Sequence, residues 1–71
     1  MRMTKTSKDN LIVADEAKIQ EMKGGGFGVQ VFRKGNSAFL NAAEGIMIYE
    51  TINKAERAIR RIRPELKITT I

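Results

Sequence analysis

Between Gln30 and Asn41 this 71-residue chain sets Phe32 and Phe39 among Gln30, Lys34, Ser37 and Asn41. Rings flanked by amides and a cation suit a nucleobase: a π-face to stack on, donors and acceptors for a base edge, and charge for a phosphate. Arg33 and Lys34 adjoin the pair, and Arg57, Arg60, Arg61 and Arg63 form a second basic cluster downstream. The expected division of labour puts Gln30, Phe32, Phe39 and Asn41 against bases. Arg33, Lys34, Arg57, Arg60, Arg61 and Arg63 then meet phosphates. Plainer explanations stand beside this one. A cross-strand aromatic pair stabilises a hairpin by itself, and either the N-terminal segment or a second copy of the chain could cover it. Arginines near a helix C-terminus also complement the helix dipole with no ligand involved.

Other chemistries find little material. The chain has no Cys and no His. That removes the common nucleophile–base pairs and leaves only carboxylates as metal ligands. Asp9, Asp15, Glu16, Glu21, Glu44, Glu50, Glu56 and Glu65 are scattered and suit caps, turns and solvated faces. No enzyme activity, metal or cofactor is expected. The glycine run Gly24-Gly25-Gly26-Phe27-Gly28 lacks the Gly-Lys-Ser/Thr ending of a phosphate-binding loop and precedes a strand rather than a helix. It reads as a helix stop or linker, and Gly28 could leave room for a close approach to the sheet.

The net charge of +5, from 13 Lys and Arg against 8 Asp and Glu, favours nucleic acid or another anionic surface as partner. A chain this short buries a modest core, and disulfides are excluded, so a homodimer is the expected extra support. No run reaches a membrane-spanning length and Met1–Asn10 lacks the apolar segment of a signal peptide. A soluble cytoplasmic protein without membrane association is the resulting expectation.

The elements that must position these residues are short. A hairpin turning at Gly35-Asn36 in type II′ geometry puts Phe32 opposite Phe39, Val31 opposite Leu40 and Gln30 opposite Asn41. Alternation then sorts Phe27, Val29, Val31, Leu40 and Ala42 to a core face. Gly28, Gln30, Phe32, Lys34, Ser37, Phe39 and Asn41 fall on the other. A third strand is expected over Ile46–Glu50, where the unbroken apolar run Ile46–Tyr49 suggests burial on both sides. The clearest helix is 54–63, capped by Asn53 with Glu56 three residues on, striped by Ala55, Ala58, Ile59 and Ile62, and ended by Pro64. Asp15 could cap a short N-terminal helix over 16–23, with Ile19 and Met22 on one face. Leu11–Ala14 is ambiguous between a strand and the start of a buried segment. Residues 66–71 read as a terminal strand at a sheet edge.

The fold class expected is α+β: a small antiparallel sheet of three to five strands, helix 54–63 packed on one face, and the short helix 16–23. Residues 1–10 form a flexible basic arm and 11–71 a single domain. Three strands followed by a helix, closing on IYETINKAERAIRRIR, resemble in element order the sheet-plus-helix DNA-binding modules of certain plant transcription factors and integrase arm-binding domains. In those families the sheet enters the major groove; the resemblance covers element order and carries over no residues. The functional expectation is a small basic nucleic-acid-binding accessory or regulatory protein, with DNA favoured over RNA. The alternative is a homo-oligomeric protein-interaction module that binds no nucleic acid.

Overall fold

The computed structural model describes residues 2–71. In chain order they form α1 (Lys5–Val13), β1 (Glu16–Glu21), β2 (Phe27–Arg33), β3 (Asn36–Phe39), β4 (Asn41–Ala42), β5 (Gly45–Ile46), α2 (Ile52–Ile62) and β6 (Lys67–Thr70). The fold is α+β. The main sheet runs β3-β2-β1-β6, and β4-β5 is a separate small hairpin. Strands β1 to β3 form an antiparallel meander, while β6 lies parallel to β1. The sheet is therefore mixed rather than wholly antiparallel. The crossover through α2 carries the chain back to the same end of the sheet, which makes the β1–β6 pair parallel.

The expected helix over 16–23 is strand β1. Glu16, Lys18 and Gln20 alternate with Ala17 and Ile19, which are fully buried, and that period of two outweighs the helix propensity of the segment. Full pairing with β2, from Glu16 opposite Phe32 to Glu21 opposite Phe27, supplies the long-range reason. Asp15 caps no helix; its carboxylate accepts a hydrogen bond from the Lys34 N–H at 3.1 Å. Gly24–Gly26 belong to the β1–β2 connection, where Gly25 and Gly26 take positive φ. The N-terminal helix lies earlier, so Lys5–Asn10, expected in a flexible arm, are its first residues. The Thr4 hydroxyl caps it by accepting from the Ser7 N–H. Met1 lies outside the described residues. The ambiguous run Leu11–Ala14 ends this helix, with Leu11 and Ala14 buried and Ile12 and Val13 exposed.

The β2–β3 hairpin turns at Lys34-Gly35, one residue earlier than expected. Both turn residues have positive φ, 48° and 86°, which is the type I′ arrangement. Lys34 is a costly residue for that conformation, and the Asp15 hydrogen bond to its N–H helps hold it there. Moving the loop by one residue moves every cross-strand partner by two. Val31 therefore faces Ala38 and Gln30 faces Phe39, yet no side chain changes face. The direct Phe32–Phe39 and Gln30–Asn41 pairings are lost.

The expected third strand over 46–50 is also corrected. Only Ile46 belongs to β5, and Tyr49 makes an isolated bridge to Phe27. The apolar run is not buried on both sides: Met47 is 7% exposed, but Ile46 and Ile48 are 40% and 43% exposed. Helix α2 begins two residues early, because Thr51 rather than Asn53 accepts the capping hydrogen bond from the Lys54 N–H at 3.1 Å. Its Ala55 and Ile59 are fully buried, with Ala58 and Ile62 partly so, as the stripe predicts.

One core joins these elements. Leu11 and Ala14 of the α1 end, Ala17 and Ile19 of β1, Val29 and Val31 of β2, Leu40, Ala55 and Ile59 of α2, and Leu66 pack together. Leu11 and Ile59 thus meet the same side of the sheet, so both helices lie on one face. The opposite face carries no helix.

Candidate nucleic-acid interface

The register lays out the helix-free face as two rows across the strands. One row reads Ser37, Phe32, Glu16, Lys67 and the other Phe39, Gln30, Lys18, Thr69, each from β3 through β2 and β1 to β6. The two rings are diagonal neighbours on adjacent strands, and both are half-buried. Along the other diagonal the Gln30 side-chain amide donates to the Ser37 hydroxyl at 3.0 Å. That bond crosses the diagonal on which the two rings lie. The Lys18 ammonium lies 4.9 Å from the Phe32 ring centre, within cation–π range.

Sequence reasoning missed Lys18 and Lys67 as members of this surface. Reading 16–23 as a helix hid the alternation that sends Glu16, Lys18 and Gln20 to the ring face. The pattern Glu-Ala-Lys-Ile-Gln carried the signal. Gly28 lies on the same face, but the Met22 side chain lies over it, with Sδ 2.7 Å from where a Cβ would stand. The room foreseen at Gly28 is thus occupied by the chain itself.

The remaining expected site residues separate into three groups. Lys34 stands at the hairpin tip, and Arg33 is exposed beside it, lining a shallow groove against Asn10 and Val13 of α1. Asn41 has left the ring face for β4. Its side-chain amide donates to the Phe39 carbonyl at 3.2 Å, and its backbone N–H donates to the buried Ser7 hydroxyl at 2.7 Å, tying α1 to the sheet. The α2 arginines point away from the rings, on the outer side of the helical layer or at its end.

Two of those arginines are already engaged. One Arg60 guanidinium nitrogen donates to the Pro64 carbonyl at 2.7 Å and the Leu66 carbonyl at 3.1 Å. One Arg63 nitrogen lies 2.9, 2.7 and 3.0 Å from the carbonyls of Leu11, Ile12 and Ala14. Helix α1 ends in extended backbone at Ala14, with no glycine cap and no basic residue in its last turn. The Ala14 N–H donates to the Leu11 carbonyl at 3.3 Å; the end of the helix otherwise needs donors from elsewhere, and Arg63 supplies them. Arg57 and Arg61 are exposed, Arg57 lining a shallow depression with Asn53 and Glu56.

Tyr49 is the one described group with a clear pKa displacement. Burial raises its hydroxyl above the ordinary value of 10.0. That hydroxyl donates to the Met47 sulfur at 3.7 Å, in a position that braces the segment entering α2 rather than the ring face. Among the described residues no helix is long and apolar enough to cross a membrane. Compared with known proteins, the chain matches no family model, no curated protein and no solved structure.

Proposed function

We propose that the protein is a small nucleic-acid-binding accessory or regulatory protein that performs no catalysis, with DNA the first ligand to test. The observation that supports this reading is the placement of both helices on one side of the sheet. It leaves Phe32 and Phe39 half-buried but covered by neither helix, with Gln30 and Lys18 beside them. On this reading the rings stack bases, Gln30 and Ser37 meet base edges, and Lys18, Lys34 and Lys67 meet phosphates. Arg57 and Arg61 act only as distant charge, because they lie across the thickness of the domain.

Amide chemical-shift mapping of the labelled protein tests it. Titration with a mixture of single- and double-stranded oligonucleotides is expected to shift Lys18, Gln30, Phe32, Ser37 and Phe39 first. Shifts gathered around Arg57 and Arg61, or none at low salt, count against it. A second reading, assembly with another copy, draws on β6. It is the outermost strand of the sheet, and Ile71 just beyond it is 70% exposed. A dimer in sedimentation that forms with concentration, without oligonucleotide binding, supports that alternative.

A further inference from the structure

We infer that the ring face takes single-stranded nucleic acid in preference to duplex. This rests on the reading of that face as a nucleic-acid surface and narrows it to one class of ligand. Three features of the face point the same way.

The first is spacing. Phe32 and Phe39 occupy diagonal positions on adjacent strands, since Phe32 is opposite Ser37 and Phe39 is opposite Gln30. Diagonal partners of this kind stand about 7–8 Å apart. Bases stacked in a duplex follow one another at about 3.4 Å along a strand. Rings at twice that interval do not meet neighbours in a closed stack. They do suit consecutive bases of a splayed single strand, each lying on its own ring, with the Gln30–Ser37 pair between them.

The second is what the rings offer. A duplex shows a protein its base edges and hides its π-faces, so two half-buried phenylalanines bring it little. An unpaired base presents the face that a ring can cover. The Lys18 ammonium, held over Phe32 in the free protein, leaves the ring when a base arrives and moves to the adjoining phosphate.

The third is charge. A sheet docked in a major groove relies on cations that reach the two flanking phosphate backbones. Here Lys18, Lys67 and the tip Lys34 are the cations of the face, with Glu16 among them. Arg60 and Arg63 are bound to carbonyls, and Arg57 and Arg61 lie on the far layer. Three lysines match a ligand held mainly by stacking and only partly by phosphate contacts.

The test is fluorescence anisotropy with one labelled oligonucleotide of mixed sequence, free and annealed to its complement, across a range of salt. The single strand is expected to bind at least about tenfold more tightly than the duplex. Its log K against log salt should slope at about −2, the value for about three phosphates at about −0.7 each. Replacing both rings, Phe32→Leu with Phe39→Leu, keeps apolar bulk and is expected to weaken single-strand binding about tenfold. Phe32→Tyr with Phe39→Tyr is expected to retain it, which separates stacking from a folding defect. Duplex binding as tight as single-strand binding, or indifference to the leucine pair, overturns the preference while leaving a nucleic-acid role standing. Binding of neither form overturns the role itself.

Discussion

The protein has two basic surfaces, one on each layer, and they are built differently. On the helical layer the cations are arginines, and Arg60 and Arg63 each have one guanidinium nitrogen committed to backbone carbonyls. On the sheet layer the cations are lysines; Lys18 rests on a ring, and no described acid pairs with Lys18, Lys34 or Lys67. The comparison teaches that a run such as Arg60-Arg61-Ile62-Arg63 measures charge but not availability. A guanidinium nitrogen that donates to the carbonyls at a helix end is part of the fold, whereas a lysine over an aromatic face can be recruited by an anion.

The largest expected effect tests the structural half of that contrast. Arg63→Ala removes the side-chain donor from the carbonyls of Leu11, Ile12 and Ala14, leaving Leu11 only the Ala14 N–H, and should cost about 2 kcal/mol in chemical denaturation. Arg61→Ala is its control and should change stability by less than about 0.5 kcal/mol. Equal losses in the two variants would erase the distinction between committed and free arginines.

A smaller effect follows from Tyr49. Its folded-state pKa is raised, so the folded protein holds the hydroxyl proton more tightly than the unfolded chain does. The associated stability is complete below pH 10 and declines as pH rises through the folded value. Denaturation midpoints should therefore fall in that alkaline window, and Tyr49→Phe should flatten the fall. A decline of the same steepness in the variant would assign it to other groups.

Binding measurements sharpen the other half. Lys18→Gln should weaken oligonucleotide binding about threefold and reduce the salt slope by just under one, with little change in stability. The smallest change is expected from Arg57→Ala with Arg61→Ala, at less than about twofold in affinity. If the paired arginine variant lost more than the lysine variant, the binding surface would belong to the helical layer instead.

How far the sequence could be read varies by segment. The α2 stripe was legible because Ala55, Ile59 and Ile62 recur at helical spacing beside a clear stop at Pro64. The hairpin was legible to within one residue, because Gly35 supplies positive φ in either a Lys-Gly or a Gly-Asn loop and only pairing selects between them. The 16–23 segment misled for a different reason. Its residues favour a helix locally, and it becomes a strand because β2 and β6 offer it a partner on each side.

From the order of residues alone came the α+β class, the two-faced character of Phe27–Phe39 and the presence of two rings on its polar side, since alternation along a strand is a local property of the backbone. Tertiary structure decided the rest. It brought α1 to the same side as α2, and that left the rings covered by neither helix. It also placed Lys18 over Phe32 and brought Arg63 to the carbonyls at the end of α1. These outcomes depend on which surfaces meet once the core of Leu11, Ile19, Val29, Leu40 and Ile59 has closed. No local pattern encodes such a meeting, because its partners stand up to 52 positions apart.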